Sequence, residues 1–166
     1  MADYSFALVV ADVKCEKLTA GEPGDTDEIY FAVTAGTRIF RHPEFDISEG
    51  ELKALNYRVW ESAIADGQEM IFMFHVRETD LFNITQDPGA ILSGEINVDQ
   101  NVGDILFHVK RKGDSFEASF DRASSIAASR VGDNLFVLDG MGSSYSLTIQ
   151  PQVKIGSRTV VIPVSG

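Results

Sequence analysis

The stretch that most narrows what this chain can fold into is Met70-Ile71-Phe72-Met73-Phe74-His75-Val76, seven positions that are apolar or aromatic except for His75. A buried helix needs roughly ten or more such residues, whereas a strand covered on both faces needs only four to eight. Asp66-Gly67 precedes the run and Arg77-Glu78-Thr79-Asp80 follows it, so polar turns bound it on both sides. The stretch therefore predicts a central strand of a sandwich, with Ile91 to Val98 as a second strand beyond a loop that closes on Asp87-Pro88-Gly89.

The remaining segments agree with that reading. Phe6, Leu8 and Val10 alternate with Ala7, Val9 and Ala11, so both faces of the first strand are apolar. Residues 19–28 hold two glycines, a proline and four acids and form a loop by turn chemistry. Ile29 to Thr34 is β-branched and aromatic, and predicts a strand paired with the first. Arg38-Ile39-Phe40 predicts an edge piece. Ser48-Glu49-Gly50-Glu51 has the spacing of a helix start, and predicts a loop with a helical turn before a strand ending near Trp60. Asp99 to Gly103 predicts a turn, Ile105 to Val109 and Phe116 to Phe120 a hairpin around Lys110-Arg111-Lys112-Gly113-Asp114, and Asp121 to Ser129 a small-residue segment. Leu135 to Leu138 and Tyr145 to Ile149 follow as strands, joined by a turn at Asp139-Gly140. With no helix alternating between strands and no repeat, the expected fold is an all-β antiparallel sandwich of about eight strands in a Greek key, with at most one short helix.

A chain of 166 residues is most economically one domain, with 155–166 as a terminal extension or edge strand. Its net charge of -11 opposes binding to nucleic acid, since a phosphate backbone is held by Lys and Arg. It equally opposes unaided attraction to an anionic membrane, and suits either a bound cation or simple solubility. No apolar run approaches the roughly 20 residues of a membrane span. Met1-Ala2-Asp3-Tyr4 lacks the basic and apolar regions of a signal peptide, so a cytoplasmic or membrane-peripheral location is expected, with non-classical export left open.

The single cysteine, Cys15, can form neither an internal disulfide nor a thiolate zinc cluster, and is expected as a buried thiol. His42, His75 and His108 are scattered, and His75 reads as a hydrogen-bonded structural residue. Trp60, the only tryptophan, reads as a core plug. Signatures of zinc proteases, α/β-hydrolases, phosphate loops, dinucleotide sites and EF-hands are absent.

Over about the first hundred residues the chain resembles a C2 domain. A strand and a Gly/Asp-rich loop leading into Asp27-Glu28-Ile29-Tyr30-Phe31-Ala32-Val33 are similar to that family's first hairpin. Trp60-Glu61 stands where the family carries a Trp-Asn-Glu-like turn. Val76-Arg77-Glu78-Thr79-Asp80, followed by Asp87-Pro88-Gly89 and Ile91-Leu92-Ser93-Gly94-Glu95-Ile96, resembles its second acidic loop and the strand after it. The resemblance implies that both loops lie at one end of the sandwich and that their carboxylates hold calcium, which bridges to phospholipid headgroups. The implied metal ligands are Asp25, Asp27, Glu28, Glu78, Asp80 and Asp87. Calcium requires about six to eight oxygens, so these residues suffice only if the two loops converge.

Three functions follow as expectations. The first is a non-catalytic C2-like module that docks to a phospholipid surface or a protein partner, with Ca2+ as its cofactor and Lys110, Arg111 and Lys112 as an additional cationic contact. The second is an assembly protein that self-associates into a homo-oligomer through a strand edge or the apolar tail Val160-Val161-Ile162-Pro163-Val164. The third is a hydrolase built on dispersed acids, for which no spacing selects a pair.

Overall fold

The structure, a computed structural model, describes residues 4–19, 26–79 and 100–166. Thirteen strands and no helix occur among them. They are β1 (Tyr4–Lys17), β2 (Thr26–Ala35), β3 (Arg38–Arg41), β4 (Phe45–Ser48), β5 (Leu52–Ala63), β6 (Glu69–Glu78), β7 (Gln100–Lys112), β8 (Ser115–Ile126), β9 (Ala128–Gly132), β10 (Leu135–Leu138), β11 (Ser144–Ile155), β12 (Arg158–Val161) and β13 (Val164–Ser165). The expected Asp87-Pro88-Gly89 turn and the strand from Ile91 to Val98 lie outside the described residues.

One sheet runs β5-β1-β11-β10-β9, with β12 added to β11; the other runs β13-β8-β7-β6-β2-β3, with β4 added to β2. All pairs are antiparallel except the two-residue contact of β13 with β8. The fold is thus an all-β sandwich of two sheets. Its central pair is the one its sequence picks out: Phe6, Leu8 and Val10 of β1 face Phe72, Phe74 and Val76 of β6, all fully buried. Phe6 stacks on Phe72 with ring centroids 5.4 Å apart, and Trp60 closes on the same ring edge-on at 5.3 Å. Each such side chain contributes roughly 1.5–3 kcal/mol by leaving water.

Three expectations change. Ile29 to Thr34 does not pair with the first strand, since β2 lies beside β3, β4 and β6 in one sheet while β1 lies between β5 and β11 in the other. Ser48-Glu49-Gly50-Glu51 is not a helical turn but the reversal between β4 and β5. The Glu51 amide donates to the Ser48 carbonyl at 3.0 Å, the Ser48 amide donates to the Glu51 carboxylate at 2.9 Å, and Gly50 takes φ 78°. The reciprocal side-chain bond that caps helices therefore closes a tight turn here. Residues 100–103 are not a turn either, because Gln100 and Asn101 pair with Glu78 and Arg77 and open β7. Of the alternatives expected for it, the apolar tail takes that of an edge strand and is folded back on its own body. Its β12 pairs with β11, β13 pairs with β8, and the buried Asn134 accepts a hydrogen bond from the Val164 amide at 2.9 Å. Ile162 and Val164 are buried. The tail therefore ties the two sheets together, while Val161 and Pro163 stay exposed.

Edge strand β5 carries its own protection. Its pairing with β1 shifts register between Val10 and Asp12, and Asn56 adopts φ 51° in that stretch. Such bulges twist an exposed edge away from further pairing.

Candidate functional site

The ends of β1 and β6 and the start of β2 meet at one pole of the sandwich. The Thr79 amide donates to the Glu28 carbonyl at 2.8 Å, which carries the β2–β6 ladder to its last rung. The Thr19 amide donates to Asp27 Oδ2 at 3.0 Å and the Thr19 hydroxyl to the same oxygen at 3.3 Å. The described flanks of both acidic loops are therefore neighbours. Hairpin β10–β11 closes the pole from the other sheet. There a Cβ on Gly140 would lie 2.3 Å from the Val102 carbonyl oxygen, so only glycine permits that approach.

Strand alternation decides which carboxylates point inward. Asp27 shares the inward face of β2 with Ile29 and Phe31 and is 0% exposed. Glu78, opposite Ile29, is also inward and buried, while Glu28 faces the other side of the sheet. Asp27 Oδ2 also accepts a short hydrogen bond from the Tyr145 hydroxyl, but Oδ1 is buried with no hydrogen-bond partner among the described residues. Burial, and then the Asp27 carboxylate beside it, push the Tyr145 phenol far above its ordinary range. Burial likewise raises the neighbouring Cys15 thiol to about 11, which makes it an inert core group.

Of the six expected metal ligands, the structure thus brings Asp27 and Glu78 to one buried corner and turns Glu28 away from it. Asp25, Asp80 and Asp87 lie outside the described residues. Among the described residues no group of three or more His, Cys, Asp or Glu is placed to hold a metal.

The expected cationic contact sits at the opposite pole and is largely used within the chain. Arg111 lies over the Tyr4 ring with 3.8 Å from its guanidinium carbon to the centroid. It donates to the Ile64 carbonyl at 2.7 Å and the Gly113 carbonyl at 2.9 Å. Lys110 lies 3.6 Å from Glu69. Lys112 ends β7 in an exposed position. The three residues do not form one free basic patch.

Sequence reasoning missed a polar network on the face of the second sheet that points away from the core. His75 Nδ1 donates to Asp104 Oδ1 at 2.8 Å, Arg77 Nη1 donates to the same oxygen at 2.6 Å, and Asn101 Nδ2 donates to Asp104 Oδ2 at 3.3 Å. Thr34 Oγ1 pairs with His75 Nε2 at 3.0 Å. His75, Arg77 and Asp104 are all buried. Burial alone would raise the Asp104 carboxyl, but the bonds from His75 and Arg77 more than offset it and hold the group below the usual range. The hydroxyl–imidazole–carboxylate order is that of a nucleophilic relay. Thr34, however, is paired with both Ile39 and Met73 near the end of β2, so its backbone amide is committed to the sheet and supplies no oxyanion donor. The arrangement reads as a satisfied buried network. Period-two spacing of His75 and Arg77 places both on one face, but nothing local to them points to Asp104.

Compared with known proteins, the chain matches no family model and no curated protein.

Proposed function

We propose that the protein is a non-catalytic, C2-like binding module that docks to a phospholipid surface through its acidic pole, with calcium as the bridge. One observation carries this reading: the flanks of two acidic loops, about fifty positions apart in the chain, meet through the 2.8 Å bond from Thr79 to Glu28, beside a fully buried Asp27 that keeps one carboxylate oxygen without a described partner. The donors are hard oxygens, the type calcium takes. Two inward carboxylates among the described residues are fewer than calcium needs, so Asp25, Asp80 and Asp87 complete the set in this reading. Calcium would supply the positive charge that lets a body of net charge -11 approach anionic headgroups, which otherwise repel it.

Sedimentation with phosphatidylcholine/phosphatidylserine vesicles tests the reading. The protein should pellet with vesicles in calcium and stay in solution in EDTA, and binding should weaken as salt rises. Equal supernatant in both conditions would remove the membrane role. Assembly through the C-terminal tail would rest on Val161 and its exposed neighbour Pro163, because Ile162 and Val164 are buried on the chain itself.

A further inference from the structure

On the side of the sandwich where β3 and β5 form facing edges, the seam is closed by side chains. Arg38 of β3 reaches across to Trp60 of β5, its guanidinium carbon 4.7 Å from the ring centroid. The indole is fixed in turn, since its N–H donates to Ser62 Oγ at 3.0 Å and the residue is only 5% exposed. Beside this pair lies a cavity of about 310 Å³ lined by Arg38, Ile39, Phe40, Arg58, Trp60 and Glu61. Phe40 is 46% exposed, a large apolar ring left at the rim. The one carboxylate in the lining, Glu61, is taken by Arg58 at 3.1 Å. Arg38 has no ion pair and no hydrogen bond among the described residues, in a chain where 25 acids outnumber 14 Lys and Arg. A guanidinium left without a carboxylate against that excess, held over a ring beside the cleft, is arranged for an anion that comes from outside.

The geometry points to this seam as a binding site for a small organic carboxylate with an aromatic or branched aliphatic body. The planar fork of Arg38 takes the carboxylate through two parallel N–H bonds, a match that a guanidinium makes and an ammonium does not. The body of the ligand covers Phe40 and meets the edge of Trp60, which removes apolar surface from water. The volume is at the small end for ligand pockets, which sets the size of the guest. This site is separate from the acidic pole and does not depend on calcium or on vesicle binding.

The single tryptophan makes the test direct, because any change in emission comes from Trp60. Benzoate should change that emission with saturation in the millimolar range or below. Benzamide, which keeps the ring but not the charge, and inorganic phosphate, which keeps charge but not the ring, should each bind about tenfold weaker or less. Arg38→Gln should weaken benzoate by about tenfold, the value expected for losing charge-assisted bonds. Because removing Arg38 can itself alter Trp60 emission, binding to this variant is read from saturation transfer to the benzoate ring protons. Lys112→Gln, which lies outside the lining of the seam, should bind as the unaltered protein does. Failure of benzoate to saturate, equal binding of benzamide or phosphate, or an unchanged affinity in Arg38→Gln would each overturn the proposal.

Discussion

At the pole that carries the Gly113 turn, charged side chains are spent on holding the chain together. Arg111 stacks on Tyr4 and donates to two carbonyls, Asp66 accepts from the Gly113 amide at 2.6 Å, and Tyr4 donates a short bond to Asp114. At the opposite pole two carboxylates are buried. Asp27 and Glu78 point inward, and Asp27 is held by two hydroxyls and an amide with no described cation beside it. A surface charge used as a staple contributes little and is closed to ligands. A buried carboxylate with spare acceptor capacity is costly to the fold, and a site that receives a cation is where such a cost has a use.

Removing Asp27 should separate the two poles most sharply. Asp27→Ala takes away three hydrogen bonds and leaves the Thr19 amide and the buried Tyr145 hydroxyl without their acceptor. A loss of about 3 kcal/mol is expected in urea unfolding, since each buried group left unpaired costs on the order of 1–3 kcal/mol. A loss below about 1 kcal/mol would mean that Asp27 is not the clamp of its pole. Next in size, Gly140→Ala would press a methyl group into the Val102 and Asn101 carbonyls, at 2.3 and 2.5 Å, and should cost about 2 kcal/mol through backbone displacement. Unchanged stability there would show that the β10–β11 hairpin is free to move off β7.

At the other pole, Arg111→Ala should cost about 1–2 kcal/mol, because it removes a stacked cation and two donors from a half-exposed site. If it costs as much as Asp27→Ala, the contrast between the ends fails. The smallest effect at neutral pH concerns acid. Asp104 has its folded pKa below the unfolded one, so the stability it contributes is present above about pH 4 and is lost as pH falls through the folded value. Unfolding midpoints measured from pH 6 to pH 2 should fall in that window, and Asp104→Asn should flatten the fall. An equally steep decline in the variant would assign acid sensitivity to other carboxylates.

The fold was readable because its strands are short, apolar and separated by strong turn residues. Phe6 to Val13, Ile29 to Thr34 and Met70 to Val76 are all within strands, and the buried residues follow the period-two pattern. The misread turn at Ser48–Glu51 has a definite cause. The capping bond between Ser48 and Glu51 is local, and the same bond suits a helix start or a reversal; the sheet on either side decides. The site was legible only in part. The resemblance to a C2 domain implied that acids at 25–28 and 78–87 converge, and in the described flanks the Thr79 amide meets the Glu28 carbonyl. Tyr145, which holds Asp27 from 118 positions away, leaves no trace in the sequence around either residue. Nor does Asp104, reached from His75 across a strand pair. Long-range side-chain partners are set by register, and register is not written in any single segment.

Unfolding in urea with calcium, with magnesium and with EDTA addresses the cation at the acidic pole most directly. A ligand that binds only the folded chain raises stability by about 2.7 kcal/mol at a hundredfold excess over its dissociation constant. Calcium should therefore raise the midpoint over EDTA, magnesium should raise it less, and a Glu78→Gln, Asp80→Asn variant should show no difference between calcium and EDTA. A midpoint for the unaltered protein that is the same in calcium as in EDTA would contradict the account.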